Sequence, residues 1–140
     1  MMERGRFSNW MALLGRIGLS LIFVTSGFAK IGGFAGMVAF ATMFNVPFPE
    51  AAIVIAIIVE FIGGLMVLFG FKTRLAGLAI ALFLIPVTLI FHSDFADQTQ
   101  MTMFWKNVAI IGGLFMVAAH GAGAFSIDGW RKKKMMSPVM

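Results

Sequence analysis

The sequence predicts an all-α membrane protein, a four-transmembrane-helix bundle with a short interfacial helix between helices one and two. Three observations carry that expectation. The chain is 60% hydrophobic and 12% charged, where a soluble domain carries about 25% charged residues. Its apolar residues gather into four stretches, each near the ~20 residues that cross a bilayer core. Its basic residues stand at the ends of those stretches, where they orient a membrane protein, and not on a surface carrying the base-stacking aromatics of a nucleic-acid binder. Residues 1–140 are read as one membrane domain with helices at about 11–30, 51–71, 74–91 and 104–120, leaving no room for a soluble domain beside it.

Met1 to Asn9 reads as a polar lead with Arg4 and Arg6, and Trp10 marks the water–lipid interface. The first apolar stretch, Met11 to Ala29, is long enough to span and lacks an obvious cleavage site, so it reads as a retained signal anchor. Within helix one, Arg16, Ser20, Phe23, Gly27 and Lys30 fall four, three, four and three apart and form one stripe. From Ile31 to Glu50, Gly32, Gly33, Gly36, Asn45, Pro47 and Pro49 interrupt any full span. Phe34, Met37, Val38, Ala41 and Phe44 keep helical spacing there, which predicts a short interfacial helix ending near Asn45.

Helix two contains the run Ile53 to Phe71, broken by the single carboxylate Glu60 near the expected bilayer midplane. Ile53, Ala56, Ile57, Gly63, Gly64 and Val67 share its face and are small on average, so that face turns toward other helices. A tight hairpin through Phe71, Lys72 and Thr73 leads to helix three, whose stripe is Arg74, Gly77, Ala81, Ile85, Thr88 and His92. Pro86 deprives the Leu82 carbonyl of its donor, which Thr88 or a water would replace. His92 to Met103 is polar and reads as a solvent loop; helix four then runs from Phe104 to Ala119 and stops at His120-Gly121-Ala122-Gly123. Ser126-Ile127-Asp128 can cap a short terminal turn before Trp130 and the run Arg131 to Lys134.

Arg4, Arg6, Lys72, Arg74 and Arg131 to Lys134 share one side, against Lys30 and Lys106 on the other, which places both termini in the cytoplasm. The lysine run also suits anionic lipid headgroups. Ile62-Gly63-Gly64-Leu65 recurs as Ile111-Gly112-Gly113-Leu114, either an echo of a duplicated two-helix unit or two sites of close helix approach.

Ionisable groups inside a membrane are expensive, so they are the first candidates for function. Glu60 and His92 are the candidate proton-transfer residues. Lys30, Lys106, Asn107, Arg16, Gly63 and Gly64 are the candidate ligand-binding set, and one cavity open to the outer side is expected to be lined by Lys30, Glu60, His92, Lys106 and Asn107, with the paired glycines of helices two and four in its wall. Arg16 and Glu60, about 7 Å apart in depth at helical rise, are expected to pair, directly or through one bridging group. The bland alternatives stand beside this: Arg16, Lys30 and Lys106 snorkel to the surface, Glu60 is protonated, or the polar groups only fix packing. The chain has no cysteine, which removes thiol exchange and thiolate-held clusters. His92 and His120 fall at opposite helix ends and cannot share one iron, and there is no zinc spacing or carboxylate cluster, so no metal site is expected.

The ordered set of Arg16 with Gly27 and Lys30, Glu60 with Gly63-Gly64, Gly70 and Thr73-Arg74, Phe91-His92, Lys106-Asn107, and Gly121-Ala122-Gly123-Ala124-Phe125-Ser126-Ile127-Asp128 resembles the DoxX family over nearly the whole chain. The resemblance implies a four-helix protein of the bacterial cytoplasmic (inner) membrane, labelled an oxidoreductase and linked to quinone chemistry, oxidative stress or electrophile resistance. Relatives that use cysteines find no counterpart here. The first reading is therefore a redox or detoxifying protein holding a quinone or similar small aromatic in the bundle, with Glu60 moving protons. The second is a non-catalytic scaffold recruiting a soluble redox partner, or assembling as a homo-oligomer. The third is a small-solute transporter, which four helices serve poorly without oligomerisation. The sequence names no cofactor beyond that quinone, and no nucleic-acid partner.

Overall fold

The computed structural model describes residues 2–137, with side chains from Gly5 onward, so Arg4 of the basic flank lies outside the described side chains. Those residues form helices and turns with no strand among them. Four helices are long and apolar enough to cross a membrane, at Gly5–Gly32, Pro49–Phe69, Thr73–Phe91 and Gln98–His120, with a shorter apolar helix at Phe34–Met43 between the first two. We refer to the four as the first to fourth spans.

The first span belongs to a helix running Met2–Gly32, so the expected polar lead is helical, carrying its polar residues one to two turns beyond the apolar stretch. The stripe predicted for it is the buried one: Arg16, Ser20, Phe23 and Gly27 are all buried, and Lys30 is half-buried. The helix gives way at Gly33, and Phe34–Met43 follows. Asn45 and Phe48 then take left-handed backbone conformations that turn the chain, and Pro49 starts the second span, where its missing N–H costs nothing.

The second span buries Ile53, Ala56, Glu60, Gly64 and Val67, the inward face read from the sequence. It is not uniformly α-helical. Ile58–Ile62 form a π-helical turn with Glu60 at its centre. The span ends in a Schellman arrangement: Gly70, at φ 70°, is left-handed, Phe71 N–H reaches Met66 O at 2.8 Å, and Gly70 N–H reaches Val67 O at 3.2 Å.

The third span lies at the centre of the core, burying Ala76, Gly77, Ile80, Ala81, Leu84 and Thr88. Ile85, expected inward, is 39% exposed, because Ile80 and Leu84 take the inner face. Ile80 and Leu84 pack with Phe23, Val67 and Leu114 from the other three spans. The Thr88 hydroxyl donates to Leu84 O at 2.6 Å, its own fourth-back carbonyl, and so does not replace the donor that Pro86 removes from Leu82. The fourth span begins at Gln98, six residues before the expected start. Asp97 caps it, accepting from Thr99 N–H at 2.8 Å and Gln100 N–H at 3.2 Å. Of the segment expected as a loop, His92 to Asp97 lie outside any helix, and Gln98 to Met103 are the first turns of this span.

A terminal helix, Ile127–Met136, is capped by Ser126, whose Oγ accepts from Gly129 N–H at 2.9 Å. The segment leading into it folds back across the end of the bundle where Lys72 and Arg74 stand. Asp128 N–H donates to Gly70 O at 2.8 Å, and Trp10 meets Phe125 edge-on at 5.0 Å. Both ends of the described chain thus gather at the end of the bundle that holds the hairpin between the second and third spans.

Candidate functional site

The site grows from one close helix contact. Gly27 faces Phe61 so tightly that a Cβ on Gly27 would lie 2.7 Å from both the Cβ and the backbone nitrogen of Phe61. Only glycine admits this approach, and it brings the next turn of the first span over Glu60. Lys30 Nζ lies 2.8 Å from Glu60 Oε2, Ser26 Oγ donates to the same oxygen at 3.2 Å, and Lys30 also donates to Ser26 Oγ at 2.8 Å. The carboxylate is 6% exposed and is held by a cation and a hydroxyl one helical turn apart. A π turn widens the helix by one residue and re-aims the side chains within it, which is how Glu60 is presented to this pair.

Beside the pair is a cavity of about 360 Å³ between the short apolar helix and the second and third spans. Ala52, Ala56, Pro86 and Val87 form much of its wall, and Phe40 and Phe91 stack at its edge with centroids 5.5 Å apart. Its two charge-bearing or titratable side chains are Lys30 and His92. An ammonium has three N–H donors; Lys30 uses two on Glu60 and Ser26 and has the third for the cavity. His92 Nδ1 lies 2.8 Å from Gln100 Oε1; with that oxygen facing the ring Nδ1 is the donor, and in the neutral ring Nε2 is then an acceptor. The early start of the fourth span is what places Gln100 there.

The other candidates go elsewhere. Arg16 does not reach Glu60. It is 2% exposed, and its guanidinium donates to Val67 O at 3.1 Å, Leu68 O at 3.0 Å and Phe125 O. The first two are carbonyls of the last turn of the second span, where helical N–H donors run out, and the third belongs to the loop before the terminal helix. The expected pairing fails on depth: Arg16 lies level with the end of the second span, two turns from Glu60, while Lys30 lies one turn from it. Asn107 is buried and donates through Nδ2 to Thr88 Oγ1 at 3.0 Å, tying the third and fourth spans. Lys106 is exposed, with Nζ 3.2 Å from Met103 Sδ. Gly63 and Gly64 are not in the lining of that cavity but face Ile80 of the third span and Val24 of the first. In the echoed pair, Gly113 meets Leu19 and Gly112 meets nothing within 4 Å. Among the described residues no three His, Asp or Glu side chains come together as a metal site.

Sequence reasoning passed over two residues. Ser26 falls off the polar stripe of the first span, although its place four before Lys30 is a visible signal. Asp128 was read as a local cap, yet its carboxylate accepts from Lys72 N–H and Thr73 N–H at 2.9 Å each and from Thr73 Oγ1 at 2.7 Å. It caps the third span from 55 residues away.

The fold and site define a four-span membrane protein with a buried acid–base pair beside an apolar, aromatic-edged cavity. The chain belongs to the DoxX family, whose model matches residues 11–93. It is 40% identical to the inner membrane protein YqjF of Escherichia coli over 122 residues, covering 87% of this chain and 92% of that one. It is 33% identical to the inner membrane protein YphA of the same organism, over 84% and 88% of the two chains. It is also 38% identical to a Bacillus subtilis protein named "Putative oxidoreductase CatD", over 74% and 81%. No solved structure matches.

Proposed function

We propose that this chain is an inner-membrane protein that binds a quinone or similar small oxygen-bearing aromatic in the cavity between the short apolar helix and the second and third spans, and serves redox or electrophile-stress chemistry there. The observation that carries the reading is the pairing of an apolar, aromatic-edged cavity of about 360 Å³ with just two facing polar heads, Lys30 and His92. Ligand pockets of ~300–1,000 Å³ with a few placed polar groups are the common form of small-molecule site. Lys30 supplies an N–H to a ligand oxygen, and the His92 Nε2 lone pair takes a ligand hydroxyl. Lys30 also touches Glu60, so a proton can pass between a bound oxygen and the carboxylate through one side chain. The inner-membrane location and the oxidoreductase label follow the names of the relatives. The orientation, with both termini cytoplasmic and the cavity at the outer end, follows the excess of basic residues at the terminal-helix end.

Mass spectrometry of what the detergent-purified protein retains is the test. A quinone or small aromatic should co-purify with the unmodified chain and be lost from Ala52→Phe, which fills the cavity from its wall. Equal retention by Ala52→Phe, Lys30→Gln and His92→Phe would place the ligand elsewhere. A scaffold role is the second reading, favoured by the fourth span, only 11% of whose most apolar window is buried within the chain.

A further inference from the structure

At the opposite end of the bundle from Lys30, an open groove of about 990 Å³ runs between the start of the third span, the Gly121–Ala124 loop and the terminal helix. Lys72, Arg74, Lys132 and Lys133 line it, with Leu75 and Met136 on its flank. We propose that this groove binds the phosphate-bearing headgroup of an anionic phospholipid.

Charge is the first argument. Four cations face one carboxylate, Asp128, whose oxygens already accept three hydrogen bonds from Lys72 and Thr73. Among the described residues the only ion pair is Lys30–Glu60, so Asp128 pairs with none of the four cations and the described lining keeps an excess of positive charge. Like charges gathered in one cleft repel, and an anion relieves them.

The second argument is construction. Arg74 donates through Nη1 to Ala119 O at 2.6 Å, using one of its five N–H groups. A Cβ on Gly121 would come within 3.2 Å of Arg74 Nε. The guanidinium is therefore seated against the end of the fourth span and not trailing in solvent.

The third argument selects a lipid over a free anion. Leu75 is 62% exposed and Met136 72%, and Leu75 lies on the outward face of the third span, where acyl chains run. The groove thus joins a basic floor to an apolar flank continuous with the bilayer. Trp10 and Trp130 are both exposed at this end and mark the interfacial depth at which a headgroup sits.

The test is native mass spectrometry of the full chain with added phosphatidylglycerol, phosphatidylcholine or inorganic phosphate. Phosphatidylglycerol should be retained and the other two lost. Each lysine removed should weaken retention about fivefold, so Lys132→Gln with Lys133→Gln should cost about 25-fold. Arg131→Gln with Lys134→Gln makes the same charge change outside the groove, at side chains resting on the Phe71 and Trp130 rings, and should cost far less. Equal losses in the two double variants would show only the summed field of the terminal helix and overturn the site. So would equal retention of phosphatidylcholine, or binding of inorganic phosphate as strong as that of the lipid.

Discussion

Asp128 and Thr73 hold the terminal segment to the hairpin between the second and third spans: one carboxylate oxygen accepts from both the backbone N–H and the hydroxyl of Thr73, at 2.9 and 2.7 Å. Partial burial alone would raise the Asp128 pKa. The hydrogen bonds from Thr73 and Lys72, with the charge of Arg131, outweigh that and hold it below the usual carboxylate value. A carboxylate with a depressed folded pKa contributes stability that is complete above its unfolded pKa and is lost as pH falls through the folded one. Docking of the terminal helix should therefore be constant from neutral pH down to about 4 and weaken below it. Asp128→Asn should abolish that pH dependence, and Asp128→Ala should cost ~1–2 kcal/mol as a lost cap. Hydrogen exchange at Gly129 to Lys133 measured against pH checks both; a profile unchanged by Asp128→Asn would assign the acid response to another group.

Gly27→Ala should destabilise the bundle by ~1–3 kcal/mol, because the new Cβ meets backbone at 2.7 Å and the first and second spans must part. Gly112→Ala, with open space around it, should be neutral or gain up to ~1 kcal/mol from helix propensity. Thermal unfolding in one detergent compares them. A tolerated Gly27→Ala would mean that the two spans are not pressed together at Phe61.

Removing Lys30 leaves Glu60 buried without its cation. Lys30→Met or Glu60→Leu alone should cost ~3–5 kcal/mol, and the double variant much less than their sum. Arg16→Met with Glu60→Leu should be additive, since Arg16 is bonded to carbonyls at another depth. A thermal double-variant cycle on each pair decides it, and coupling of Arg16 in place of Lys30 would reverse the assignment.

Reporters fused after Ser137 and inserted within Ser93–Ala96 should report opposite sides of the membrane, the former cytoplasmic. The motive is the four spans together with the basic excess at the terminal-helix end. Both reporters on one side would require a different number of crossings.

The inward faces were legible because burial follows helical period: the stripe from Arg16 to Lys30 and the face around Glu60 are the buried ones. The partners of the charges were not. Pairing depends on the relative height of two helices, and a shift of two turns moved Arg16 from the Glu60 carboxylate to the Val67 and Leu68 carbonyls. Helix starts fared worst where polar residues extend a helix beyond the bilayer. Gln98 to Met103 looks like a loop to any reading based on hydropathy, although Asp97 is a sound cap signal. His92 and Lys30 meet one cavity, whereas Asn107 and Lys106, adjacent in sequence, diverge because neighbours on a helix point about 100° apart.

The π turn at Ile58–Ile62 carries one residue more than an α-helix needs to cover the same rise. Elsewhere in the second span, deleting a residue would rotate everything beyond it by about 100° and turn a buried face to lipid. Within this turn a deletion simply restores the regular repeat, leaving Pro49–Ile57 and Gly63–Phe69 in phase. The span therefore has one place where its length can change without disturbing the bundle, and that place is next to Glu60. Relatives that keep the fold but handle the carboxylate differently should differ by a single-residue gap there, so the site's chemistry can drift by insertion and deletion as well as by substitution.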